Sequence, residues 1–265
     1  MGKLTVKDIM VKPETVDKSD TISHALDLMQ KYKVRRLLVR HRGDFVGVVG
    51  MRDLARTLGT SKKSNLPASA LHVVTALNGG SLKYTDVSPD MDIQTSINTM
   101  TANNGVLIAR DDGEILGWVT PNEILKHRSP DGFAGEIMQK HVTTASVADR
   151  VTHVRRIILD EGIGRVPIMN NYSLVGIITE VDIANAMRAF RDLVPDTKQK
   201  DRIRNLIASD IMKRHVVTVR TNTPASEVTQ IVIERGFGGV PVQNLEDDLV
   251  GIITRRNLVA AMATI

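Results

Sequence analysis

The sequence predicts an α+β fold assembled from four copies of one small module, and three observations predict it. A glycine-led string occurs four times, as GVVGMRD at 47–53, GWVTPNE at 117–123, GIITEVD at 176–182 and GIITRRN at 251–257. Each string is preceded by the same succession of apolar periodicities. The leading glycines stand 70, 59 and 75 residues apart, so connectors of unequal length join the copies and a solenoid of fixed period is excluded.

Each copy opens on a short extended stretch marked by Val16, Val87, Ala145 or Val219, about thirty residues before the glycine. An amphipathic helix follows. In the first copy Ile22, Ala25, Leu26 and Met29 fall at i, i+3, i+4 and i+7, one stripe of a 3.6-residue period. In the third, Val151, Val154 and Ile158 mark that face. The fourth helix carries Val228, Ile231 and Val232 behind Thr223 and Pro224, which read as an N-cap and a first-turn proline. Strands at 36–39, 105–108, 165–169 and 239–242 come next, each followed by a polar turn and then by the strand that carries the string, a β-hairpin pattern. A second helix closes each copy, as in 181–187 and 257–262. The order strand, helix, strand, strand, helix defines domains at 1–60, 66–128, 132–190 and 205–265, the second the most divergent. The connector at 56–65 is short, polar and basic, and that at 188–209 is longer and partly helical. The turn cluster at 127–132 divides the halves. A module this small buries little alone, so it needs a partner.

Of the 265 residues 42% are hydrophobic and 25% charged, ordinary values for a globular chain. The absence of cysteine excludes disulfides, thiolate metal sites and a cysteine nucleophile, and suits a reducing, cytoplasmic setting. Apolar runs such as 174–179 and 249–254 fall far short of the ~20 residues of a membrane span, and the first ten residues lack the core of a signal peptide. No catalytic triad, P-loop or dinucleotide fingerprint occurs at usable spacing, so an enzyme is not expected. His141 and His215 lack companions at ligand spacing, so no metal site is expected. A formal charge of +5 favours anionic partners, while 3% aromatic residues are thin material for stacking nucleic-acid bases. The basic run at 31–42 reads as a solvated face.

At these residues the chain resembles the CBS-domain family, named for cystathionine β-synthase. The resemblance rests on Asp210-Ile211-Met212, HVVTV, GFGGVPV and GIITRRN in the fourth copy, and on Glu136-Ile137-Met138, GIGRVPI and GIITEVD in the third. The first copy keeps Asp8-Ile9-Met10 but has Gly50 in place of the string's threonine, and the second lacks the Ile-Met opening. Coverage is nearly complete. The resemblance implies four CBS domains in two tandem pairs with pseudo-two-fold symmetry. It implies a non-catalytic regulatory protein that binds AMP, ADP or ATP in clefts between paired domains and requires no other cofactor. S-adenosylmethionine is an alternative ligand, and nucleic acid on the basic surface an alternative of another class. A homodimer or a disc closed within one chain, read by a regulated protein, completes the expectation, with no membrane partner.

By the same resemblance the string's threonine and acid approach the phosphate and ribose. The chemistry is sound without it, because a carboxylate accepts both ribose hydroxyls, a threonine hydroxyl donates to phosphate, and an arginine binds phosphate bidentately. The third copy has the full set, Arg165, Thr179 and Asp182 beside Ile177, completed by Met212, His215, Val217, Phe237 and Gly238. Asp182 is expected at a cleft rather than in the core, so that its loss spares the fold. The fourth offers Ile252, Thr254 and Asn257, with Met138, His141, Thr143 and Ile163. The second offers Thr120 and Glu123, with Met10, Thr15 and Val34, and the first Arg36 and Asp53 without the hydroxyl. Threonine and an acid at a strand end also serve as an N-cap for the next helix, and that use competes with ligand binding at each string.

Overall fold

Every copy builds the succession its periodicity predicts. A computed structural model of the chain describes residues 3–59, 66–78, 83–193 and 205–264. The first copy runs α1 (Val6–Ile9), β1 (Thr15–Asp17), α2 (Ile22–Lys31), β2 (Arg36–His41), β3 (Asp44–Gly50) and α3 (Met51–Gly59). The second runs α4 (Val73–Leu77), β4 (Tyr84–Val87), α5 (Ile93–Asn103), β5 (Val106–Asp111), β6 (Glu114–Val119) and α6 (Pro121–Leu125). The third has α7 (Ala134–Ile137), β7 (Ala145–Ser146), α8 (Val151–Leu159), β8 (Arg165–Asn170), β9 (Ser173–Thr179) and α9 (Glu180–Leu193). The fourth has α10 (Ala208–Ile211), β10 (Val219–Arg220), α11 (Ala225–Glu234), β11 (Gly239–Gln243), β12 (Leu249–Thr254) and α12 (Arg255–Ala260).

Each copy holds one three-stranded sheet. Its first strand runs parallel to the second across a helix, and its second pairs antiparallel with the third. All four hairpins carry a register shift at the same place, after Val39, Ala109, Ile168 and Val242. The turn at Arg42-Gly43 has both residues at positive φ, +53° and +94°, the conformation a tight hairpin demands. On α2 the stripe Ile22, Ala25, Leu26 and Met29 is buried, and the Thr21 hydroxyl accepts the His24 N–H at 3.1 Å. α11 begins one residue later than expected. Pro224 stands at its N-cap, and the Thr223 hydroxyl instead accepts the Arg220 N–H at 2.9 Å within the preceding turn. Of the connectors, 56–59 continues α3 and 188–193 continues α9, while 60–65 and 194–204 lie outside the described residues.

The chain forms two compact units, and each combines alternate copies. One unit, Glu14–Leu82 with Thr143–Val216, holds the sheets of the first and third copies, here the odd unit. The other, Met1–Pro13, Lys83–Val142 and Val217–Ile265, holds those of the second and fourth, the even unit. The core of the odd unit is shared by α2 and α3 of copy one with α8 and α9 of copy three, through Leu26, Leu54, Ile158 and Ile183 among others. The even unit is built the same way from Ile97, Ile124, Val232 and Leu258. Four modules thus share two cores.

The opening segment of a copy packs on a different copy. Thr5 and Val11, around α1, bridge to Asp92 and Trp118 of copy two. Phe133 and Gln139 bridge to Pro224 and Ile252 of copy four, while Arg150 and Ile177 of copy three bridge to Ile207 and Lys213. Thr21 of copy one bridges to His72.

Within the odd unit, arginines tie the helix ends of one copy to the other. Arg56 Nη2 donates to the Leu159 carbonyl and Arg155 Nη1 to that of Gly59, at 2.7 and 2.9 Å. Arg191, buried at 6% exposure, donates from Nε to the Leu58 carbonyl and from Nη1 to that of Leu66, both at 2.7 Å. The Leu58 and Gly59 carbonyls close α3 and that of Leu159 closes α8, where a helix lacks internal donors and favours cations. In the even unit amides act beside one arginine: Gln94 donates to the Met262 carbonyl at 2.8 Å, Asn98 to the Thr264 hydroxyl at 3.1 Å, and Arg256 Nη2 to the carbonyl of Asn104, the C-cap of α5, at 3.3 Å.

Arg191→Ala therefore strips two carbonyls of their donor and should lower unfolding stability by about 2–4 kcal/mol. A urea midpoint equal to that of the unmodified chain would contradict this. A second expectation concerns Asp92, which caps α5. The Thr95 hydroxyl, the Thr95 N–H and the Lys3 ammonium hold its carboxyl down, to about 2 against an ordinary 3.8. Because the folded value is the lower one, its contribution is complete above about pH 4 and disappears as pH falls toward 2. Asp92→Asn should flatten the stability profile in that window, and an unaltered slope would show that the cap does not titrate there.

Candidate functional site

A strand that ends and a helix that begins at once leave backbone N–H groups in need of acceptors. All four strings meet this need with the side chain three residues on. In copy three the Thr179 N–H and hydroxyl both donate to Asp182 Oδ2, at 2.8 and 2.6 Å. In copy two the same pair on Thr120 donates to Glu123 Oε2 at 3.0 and 2.5 Å. In copy four Thr254 donates twice to Asn257 Oδ1, at 2.9 and 2.6 Å. Copy one, with Gly50, keeps the backbone bond alone, to Asp53 Oδ2 at 2.9 Å. Each pair is a helix cap, and Asp182 does more for the fold than a cleft residue need do. Its replacement by alanine removes two hydrogen bonds of the β9–α9 junction, so the expectation that its loss spares the fold is revised.

The copies differ in what remains after the cap is made. At Asp182 the second oxygen, Oδ1, faces the Lys213 ammonium at 3.2 Å, with the Asp182 side chain 9% and that of Lys213 61% exposed. At Glu123 the second oxygen is taken by the Asn122 amide at 3.0 Å, so both oxygens serve the junction. At Asn257 the oxygen is used by Thr254, so the amide presents N–H donors where Asp182 presents an acceptor. Asp53 is 3% exposed.

The strand pairing brings the third set together. Arg165 lies directly across from Thr179 in the β8–β9 hairpin, and both are buried. Arg36 stands across from Gly50 in the equivalent place of copy one, while copy four has Gly239 across from Thr254. Beside Thr179, a single oxygen of Glu180, Oε1, accepts from two nitrogens of Arg52 of copy one, Nη2 at 2.6 Å and Nε at 2.7 Å. Ile177 exchanges backbone hydrogen bonds with Lys213, at 3.0 and 2.9 Å. The odd unit therefore holds Arg165, Ile177, Thr179, Asp182, Met212 and an exposed His215, together with Arg36, Asp53, Thr15, Val34, Thr143 and Ile163. The even unit holds Val217, Phe237 and Gly238, with Met10, Met138, His141, Ile252, Thr254, Asn257, Thr120 and Glu123. Among the described residues no group of three His, Asp or Glu could hold a metal ion.

The opening methionines find their role against the string glycines. A Cβ on Gly176 would stand 2.9 Å from Met212 Cγ, one on Gly251 2.7 Å from Met138 Cγ, and one on Gly117 3.0 Å from Met10 Cγ. In copy one the neighbour of Gly47 is Leu77, from the segment that lacks the Ile-Met opening. Sequence reasoning missed Lys213 and Arg52. Lys213 has a local signal, since it follows the Asp-Ile-Met triad immediately, but Arg52 and Glu180 are 128 residues apart.

Comparison with known proteins agrees with the repeat. The family model described as CBS domain matches residues 6–60, 84–129, 134–189 and 208–264. Protein MJ1225 of Methanocaldococcus jannaschii is 25% identical over 94% of this chain and 95% of its own length. Its crystal structure, described as that of a candidate archaeal homologue of g-AMPK, covers 98% of this chain and 100% of that one with a TM-score of 0.80 at 23% identity. A conserved protein of Pyrococcus horikoshii covers the same shares with a TM-score of 0.63 at 17% identity. Among the described residues, no helix is long and apolar enough to cross a membrane.

The contact of Met212 on Gly176 makes Gly176→Ala an overpacking change, expected to cost about 1–3 kcal/mol. Met212→Ala should recover part of that loss in the double variant. Purely additive losses in denaturant titrations would separate the two residues.

Proposed function

The chain belongs to the CBS-domain family, and we propose that it is a non-catalytic sensor that binds an adenosine nucleotide, AMP, ADP or ATP, at the string of its third copy. The observation that carries this reading is the Asp182 carboxylate. One oxygen completes the helix cap and the other points to an exposed cation, which leaves an acceptor for a ribose diol. Arg165, across from Thr179 on β8, is the residue for the phosphate. In copies two and four the equivalent atom is committed to the junction or replaced by an amide donor, and copy one lacks the string's hydroxyl, so copy three is the principal site.

A ligand is sensed only if it binds two arrangements of the protein unequally. The Arg52–Glu180 ion pair supplies a route within the odd unit. Glu180 directly follows Thr179 and begins α9, while Arg52 belongs to α3 of copy one, so a shift of the third string is felt by the first copy. The readout is a change in how the odd unit meets a regulated protein or a second copy of the chain.

Asp182→Asn tests the site without breaking the cap, because Asn257 makes the same two bonds in copy four. Calorimetry should show about 10- to 100-fold weaker AMP binding, the equivalent of one lost charged hydrogen bond, with a nearly unchanged urea midpoint. Equal affinity in the two proteins would remove Asp182 from the site. Tighter binding of S-adenosylmethionine than of AMP would change the ligand class. Salt-sensitive binding of duplex DNA without any response to nucleosides would overturn the sensor reading.

A further inference from the structure

We infer that Lys213 is the residue that selects an anionic nucleotide over a neutral nucleoside at the third copy, an inference that rests on the nucleotide reading above. A hydroxyl has one proton to give. That of Thr179 goes to Asp182 Oδ2 at 2.6 Å, so Thr179 can accept from a ligand but has nothing to donate to a phosphate oxygen. The donor the string lacks is supplied by the chain that crosses beside it.

Lys213 is built into that position. Its backbone exchanges two hydrogen bonds with Ile177 of the string, and its neighbour Met212 lies over Gly176. The stem therefore starts from a fixed point, while the ammonium, on a side chain 61% exposed, is free to turn. The corresponding crossing residues are Val11, bridged to Trp118 of copy two, and Gln139, bridged to Ile252 of copy four. Neither carries a charge.

The ion pair at 3.2 Å makes the selection an exchange of partners. A ribose diol that takes Asp182 Oδ1 competes with the ammonium for that oxygen. Adenosine offers the displaced cation nothing in return, whereas a 5′-phosphate on the same ribose offers it a dianion, and a sulfonium nucleoside meets it with like charge. Discrimination thus includes a penalty against the wrong ligand as well as a contact with the right one.

The test is calorimetry of the full chain with AMP and with adenosine, on the unmodified protein, Lys213→Ala and Lys213→Arg. Lys213→Ala should weaken AMP roughly three- to tenfold, as expected for a charge contact near the surface, and should leave adenosine unchanged or slightly tighter because Asp182 is released. Lys213→Arg should retain the preference for AMP. A loss shared equally by the two compounds, or no change in either, overturns the role of Lys213 while the site itself stands. If the unmodified chain binds neither compound, the nucleotide reading falls and this inference falls with it.

Discussion

A single side chain three residues into a helix holds each string of this protein in place. The last residue of the strand turns its N–H toward that side chain, and the bond converts a strand end into a helix start without an intervening loop. Because the junction is short, whatever lies across from it on β8 and follows it on α9 is held at fixed distances. The candidate site is a consequence of this cap. Arg165 lies opposite Thr179 because the hairpin ends there, and Asp182 is present because the helix needs it.

The second constraint is apolar. A module with one amphipathic stripe on each of two short helices cannot enclose a core, and here it finds its partner two copies along the chain. Helices of copies one and three interleave, as do those of copies two and four. The opening segments add to the packing within each unit, since each methionine needs a glycine beneath it and finds one in another copy's string. The glycine that leads the string is there for this contact, and positive φ has no part in it at Gly176 or Gly251. The odd unit ties its helix ends with three guanidinium groups, and the even unit with two amides and Arg256.

Repetition preserved the frame and released the chemistry. With the cap satisfied by one atom, the remaining atom varies: a carboxylate oxygen beside Lys213, a carboxylate oxygen held by Asn122, or an amide nitrogen. Four junctions of one shape thus present different groups. The Arg52–Glu180 pair sits at the junction of copy three and reaches into copy one, so the site with the most usable chemistry is also joined to a second module.

Local order was legible in the sequence. The stripe Ile22, Ala25, Leu26, Met29 is buried as its spacing predicts, the hairpins lie where the polar turns place them, and the repeated string marked the junction of each copy's third strand with its closing helix. These features depend on residues within about ten positions of one another, where periodicity and turn chemistry carry the information. Thr223 shows the limit even there, because its hydroxyl had two backbone donors in reach and the turn took it. What the tertiary structure alone decided is which copies share a core, which glycine receives which methionine, and which of Asp182's oxygens faces a cation. Those outcomes turn on contacts between residues far apart in the chain, Arg52 with Glu180 across 128 positions among them, and on the single proton of a hydroxyl that can be given only once.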